Sequence, residues 1–296
     1  MTVDAVTSAA AVKRSLAWMV FSCLMFAMVM VSIRLYLTDL PPPQTVFLRY
    51  FLGIFLIAPC LHSTRGELFR SPVKKVLVLR AVLHGSAVFL WFFAVLSIPL
   101  AEVNAMLNLG PIYATIGAAL FMGERLRFRR IAAICVAFIG ALIIIRPGFA
   151  EIGIGTIAVM ATAMLFAASD LFAKQLKAHH EDNSIILILS VGISIMMLLP
   201  AVAVWQTLSP QNWIGVFAIT GCATLGHVSL MRSFSGPMWA AQTGKYIQLI
   251  FVVIFGIVLF DEIPEVPVLA GALVVLASVS YIAIREGRLR KQANLH

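Results

Sequence analysis

Within one apolar stretch, Trp239, Gln242, Lys245 and Tyr246 recur at spacings that put them on a single face of a helix. A cation, an amide and two aromatic rings on one face can hold a small carboxylate- or phosphate-bearing molecule with a planar or apolar part. Residues 99–124 repeat residues 237–262 at an offset of 138, so that Asn104 answers Gln242 and Asn108 answers Tyr246. Polarity is kept at the same two places in both copies. The amides of Asn104, Asn108 and Gln242 have a second possible use, hydrogen bonding from helix to helix. Arg80, His84 and Trp91 form another stripe, at spacings of four and seven residues. For His84 and His227 the alternatives are a neutral interhelical bond and proton transfer. Trp91 is suited either to a ligand or to anchoring at a membrane interface, and Arg80 is expected to snorkel to lipid head groups.

Two carboxylates, Asp170 and Glu102, are placed to load and release protons as their surroundings change. Asp170 precedes Lys174 by four residues and can instead pair with it. Glu102 can instead close an ion pair with Arg49 or Arg34, which makes Arg49 a further gating candidate. Glu124 and Glu262 end the two copies and act as boundary or gate residues on this reading. No nucleophile–base constellation, His-Glu-x-x-His or phosphate loop occurs in the sequence. Neither an enzyme nor a bound cofactor is therefore expected. His179, His180, Glu181 and Asp182 are adjacent and lack the spacing of metal ligands. Cys23, Cys60, Cys135 and Cys222 stand singly and are expected to fill the core.

The elements that must position these groups follow from composition. The chain of 296 residues is 61% hydrophobic and 12% charged, against about 45–50% apolar residues in soluble domains. Apolar runs at 15–37, 44–61, 76–97, 100–122, 128–146, 153–174, 184–204, 211–232, 237–260 and 266–284 are each long enough to cross the hydrocarbon core as helices. Ten transmembrane helices are predicted, and the bilayer is the first partner. With a cytoplasmic N-terminus, 18 of the 22 Lys and Arg fall on the inner side, and both termini are cytoplasmic by the positive-inside rule. That asymmetry accounts for the net charge of +9 without nucleic acid, since the basic residues are scattered through short inner loops.

Five spans per copy make the second copy enter the membrane from the opposite side. The fold predicted is an all-α pair of inverted five-helix repeats, residues 1–147 and 148–296. Halves related in this way meet near the midplane, and rocking one against the other exposes a site alternately to each side. The faces carrying Asn104 and Asn108 and those carrying Gln242, Lys245 and Tyr246 would then oppose each other as a substrate cradle. A secondary transporter of a small organic solute, with protons as a possible coupling ion, is expected.

The stretch SIPLAEVNAMLNLGPIYATIGAALFMGERLRFRRIAAICVAFIGALIIIRPG, residues 97–148, resembles the EamA domain of the drug/metabolite transporter superfamily. The marks are a proline before the fourth helix and another within it, Gly-Glu at its end, and a following helix that closes on Arg-Pro-Gly. Arg49 and Trp91 also sit where that family carries an arginine and an aromatic. The second copy departs from the pattern, with Leu249 in place of the helix-four proline and Asp-Glu in place of Gly-Glu. The resemblance implies ten helices in a bacterial inner membrane, a central cavity lined by helices 1, 3, 4, 6, 8 and 9, and cargo among amino acids, vitamins, cofactors and drugs. An amino acid or similar zwitterionic or aromatic metabolite suits the residues; riboflavin or S-adenosylmethionine is the alternative.

Overall fold

The computed structural model describes residues 9–57, 73–110, 112–113, 116–117, 128–146, 152–176, 180, 182–233 and 247–293. Ten helices carry these residues: α1 (Ala9–Tyr36), α2 (Pro42–Ile57), α3 (Lys74–Ser97), α4 (Leu100–Leu107), α5 (Phe128–Ile145), α6 (Ile154–Leu176), α7 (Asp182–Ala203), α8 (Pro210–Ser233), α9 (Ile247–Phe260) and α10 (Val266–Ala293). Each coincides with one of the apolar runs. Stretches within α1, α3, α6, α7 and α8 are long and apolar enough to cross a membrane, while α2 and α9 and parts of α5 and α10 are shorter apolar helices. The described part of α4 has eight residues, and Gly110, Ile112, Tyr113, Ile116 and Gly117 beyond it are also helical.

Local chemistry fixes the helix ends. Pro42 and Pro210 occupy first helical positions, where the missing N–H costs nothing. At the start of α8 the Asn212 amide N–H donates to Ser209 Oγ (3.1 Å), and the Ser209 amide N–H donates to Asn212 Oδ1 (2.8 Å), a reciprocal cap of the Ser-x-x-polar kind. Helices α5 and α9 both stop at a residue of positive φ, Arg146 at 49° and Asp261 at 54°, the left-handed turn that ends many helices.

The connections α1–α2, α3–α4, α5–α6, α7–α8 and α9–α10 gather at one end of the bundle. Gln44 and Gln206 bond reciprocally, Nε2 to carbonyl at 2.8 Å and amide to Oε1 at 2.9 Å, and Asn212 Nδ2 donates to Tyr36 O and Asp39 Oδ1, both at 2.9 Å. Arg146 pairs with Glu265 at 2.6 Å, and Gly155 abuts Ser97 and Ile98. Odd-numbered helices therefore run toward this end and even-numbered helices away from it.

Helix α1 lies along α8 and α3 along α6; α2 meets α8 and α3 meets α7; α1 meets α9 and α4 meets α6. The pairs α2–α7, α4–α9 and α5–α10 complete the principal packing. Glycine permits the closest crossings. A Cβ on Gly271 would lie 2.5 Å from Gly140 O, and one on Gly215 would lie 2.5 Å from Tyr36 Cβ, so α5–α10 and α1–α8 approach at backbone distance, as small residues allow in membranes.

The main core gathers Ile33, Phe92, Leu100, Met106, Ile193 and Ile219 from α1, α3, α4, α7 and α8. Large apolar side chains also cover the outer surface, with Leu199 79% and Val258 70% exposed, a pattern suited to contact with lipid. Of the cysteines expected inside, Cys23 is buried and Cys222 partly so, whereas Cys135 is exposed; it lies on an outward face of α5, where a thiol suits lipid as well as core. Cys60 lies outside the described residues.

Candidate functional site

Several hydroxyls within the bundle find acceptors on their own helices, while Ser15 and Ser22 of α1 donate to the Ser233 and Gly226 carbonyls of α8. Ser32, Thr45, Thr162, Ser190, Ser194, Thr220 and Thr224 each donate to the carbonyl four residues back. Against that background a few buried atoms stand out. Among the described residues Trp91 Nε1, Asn104 Oδ1 and Asn108 Nδ2 have no hydrogen-bond partner, as also holds for Ser184 Oγ, Arg80 Nε and Arg146 Nε, although Asn104 is only 4% exposed. An unpaired buried polar atom costs about 1–3 kcal/mol. The interhelical bond open to the asparagines is not made by these two atoms. The turn at Ile98–Pro99 folds α4 back beside α3, which sets Trp91 about 10 Å from the turn and Asn104 and Asn108 about 8 and 14 Å from it at 1.5 Å per residue.

A second polar centre draws on α2, α3, α6 and α8. His84 Nδ1 is 3.1 Å from Ser169 Oγ, and its ring stands 4.9 Å from that of Phe166. Arg80, His227 and Arg49 all lie within electrostatic range of His84, and Asp170 and Tyr50 within range of Arg80. Arg49 rests over the Tyr50 ring at 4.1 Å, and His227 meets Phe26 edge-on at 5.0 Å. His84, Asp170 and Arg49, separate in the sequence, thus share one neighbourhood.

Arg80 corrects an expectation. It does not snorkel: it is 9% exposed, and its Nη1 is 3.4 Å from Ile185 O on α7. The packing of α3 between α6 and α7 turns its side chain inward. Its spacing of four residues from His84 was the available signal, since that places both on one stripe.

At the end where the connections gather, Arg34 at the close of α1 bonds the Glu262 carboxylate, the Ile98 carbonyl and, through Nε, Val95 O at 2.6 Å. The other oxygen of Glu262 accepts the Leu100 amide at the start of α4 at 2.9 Å, and the Glu262 amide donates to Gly256 O at 2.9 Å. Four helices meet in this one ion pair. Glu102 was expected to pair with Arg34 or Arg49; instead its carboxylate bonds Thr156, with Arg146 and Glu265 nearby, because Glu262 already holds Arg34. Trp239, Gln242, Lys245, Tyr246, Glu124 and the side chain of Lys174 lie outside the described residues.

A bundle of apolar helices with lipid-suited faces and inward-turned cations defines a multi-pass membrane protein. Within that class the chain carries an EamA-like transporter domain: the model of the EamA-like transporter family matches residues 13–146. Bacterial proteins similar to it are named as transporters. The pseudopaline exporter of Pseudomonas aeruginosa is 27% identical over 84% of this chain and 88% of its own. The riboflavin transporter of Vibrio cholerae is 25% identical over 94% and 96%, and the S-adenosylmethionine uptake transporter of Rickettsia conorii 21% over 82% and 83%. One solved structure shares the fold, with a TM-score of 0.63 at 15% identity, covering 95% of this chain and 99% of that one.

Proposed function

We propose that the protein is a secondary transporter that moves a small organic metabolite across a bacterial inner membrane by alternating access, with both termini cytoplasmic and ten spans arranged as inverted repeats of residues 1–147 and 148–296. Support for the repeat comes from the packing pairs. Adding five to each index turns α1–α8 into α6–α3, α2–α8 into α7–α3 and α1–α9 into α6–α4, while α2–α7, α4–α9 and α5–α10 map onto themselves. With five spans per half and alternate helices antiparallel, that exchange inverts one half relative to the other.

The observation that carries the functional reading is the set of unpaired atoms on Trp91, Asn104 and Asn108. Buried polar groups left open on α3 and at α4 are suited to a polar solute that supplies the missing bonds. On this reading Lys245, Gln242, Trp239 and Tyr246 approach from the second half, the lysine toward a carboxylate or phosphate and the rings toward a planar part. An amino acid or similar zwitterionic or aromatic solute matches that set. The riboflavin and S-adenosylmethionine carriers among the relatives favour a cofactor-like solute as the second reading. Outward opening requires the Arg34–Glu262 connection to part, and Asp170 is the candidate proton carrier.

A thermal-shift screen of the purified protein against amino acids, riboflavin and S-adenosylmethionine, repeated with Lys245→Ala, tests this. A ligand that stabilises the native chain and not the variant names the substrate class and places Lys245 in the cradle. Equal stabilisation of both removes Lys245 from the site.

A further inference from the structure

The basic centre around His84 has more positive charge than the described residues balance. Arg80 carries five N–H donors, yet among the described residues its Nε is unpartnered and its one hydrogen bond, from Nη1 to Ile185 O, is long at 3.4 Å. Arg49 has the Tyr50 ring beneath it and makes no ion pair among the described residues. Facing these groups are Tyr50 on α2, Ser169 and Asp170 on α6 and His227 on α8. With Asp170 counted wholly against Arg80 and both imidazoles neutral, one guanidinium charge is uncompensated among the described residues. Charges inside a membrane protein are costly and mark sites with a partner. A guanidinium fork is matched by a carboxylate, which it binds through two parallel hydrogen bonds.

We propose that Arg49 and Arg80, with His84 and His227 beside them, form a station for a carboxylate carried by the substrate. It rests on the transporter reading and deepens it, by naming the anionic class of the cargo and adding Arg80 and His227 to the residues that recognise it. In the expected topology the station lies toward the cytoplasmic half. Arg80 is six residues from the start of α3, Asp170 six from the end of α6, His227 six from the end of α8 and Arg49 eight from the end of α2, which places all four about 9–12 Å along their helices.

The test uses the full chain in nanodiscs of neutral phosphatidylcholine, with benzoate, succinate and citrate as probes, and benzamide and succinamide as uncharged counterparts of the first two. Thermal unfolding and tryptophan fluorescence give the apparent Kd. At least one carboxylate is expected to bind where its amide does not. Arg80→Gln and Arg49→Gln should each weaken that binding at least tenfold, while Arg232→Gln, whose guanidinium lies over Trp18, leaves it unchanged. Arg80→Lys keeps the charge without the fork and serves should Arg80→Gln not fold; it should weaken binding severalfold.

Equal binding of acid and amide, affinities within twofold in both arginine variants, or no carboxylate binding would each overturn the station. So would stabilisation through these arginines by added phosphatidylglycerol in place of free carboxylates. Counterflow in proteoliposomes separates the two readings. Solute movement with unaltered affinity in the arginine variants removes the station and keeps the transporter. Carboxylate binding through the arginines without any movement does the reverse.

Discussion

Asn104 shows how one side chain distinguishes structure from function. If its amide served the fold, replacing it would break a bond; but its Oδ1 is unpaired in a residue 96% buried, the complement of its 4% exposure. Asn104→Leu is close in volume and removes an unsatisfied group, so thermal stability should hold or rise by up to about 1 kcal/mol. Transport should fall at least tenfold if the amide contacts substrate. Melting temperature and proteoliposome uptake, measured on one preparation, check both halves, and a stable variant with full activity removes Asn104 from the site. Asp170 invites a different measurement. A carboxylate that carries a proton across loses that capacity as an amide, so Asp170→Asn should flatten the dependence of uptake on external pH. A profile unchanged in shape makes Asp170 a structural partner of its neighbours.

At the scale of elements, the ends of α1 and α9, the α3–α4 turn and the start of α4 hang on Arg34 and Glu262. Removing one partner of a buried pair costs about 3–5 kcal/mol, because the other charge is left behind. These side chains keep 15% and 19% exposure, so Glu262→Gln should cost less than that, about 1–3 kcal/mol. Thermal unfolding in nanodiscs reads this. Arg34→Gln combined with Glu262→Gln should cost less than the sum of the single changes; strictly additive losses would show that the two do not act as a unit. The helices themselves were plain in the sequence, since long apolar runs bounded by proline, serine and charge have few other solutions in lipid. Their contacts were not. Glu102 and Glu262 are both carboxylates near the same end, and only the position of Gly256 and Leu100 around Glu262 decides which of them receives Arg34.

For the whole molecule, alternation of helix direction and charge asymmetry together make a topological prediction. The end where the five odd-to-even connections gather should face away from the cytoplasm, because 18 of 22 basic residues belong to the other side in the orientation chosen by the positive-inside rule. In a chain freed of its own cysteines, Asp39→Cys should react with an impermeant maleimide added to intact cells, and Arg288→Cys only after permeabilisation. The reverse labelling would turn the whole bundle over and put the Arg34–Glu262 connection inside.

The sequence alone determined the apolar helices and most of the polar residues of interest, because a bilayer tolerates few backbone solutions and makes each intramembrane polar group conspicuous. The side chains that share a centre were decided by tertiary structure. Arg49, Arg80, His84, Asp170 and His227 are separated by up to 178 positions in the chain, and a helical spacing rule reaches only along one helix. Whether Arg80 points to head groups or into the bundle depends on where α6 and α7 stand beside α3, a matter of helix packing that no local pattern encodes.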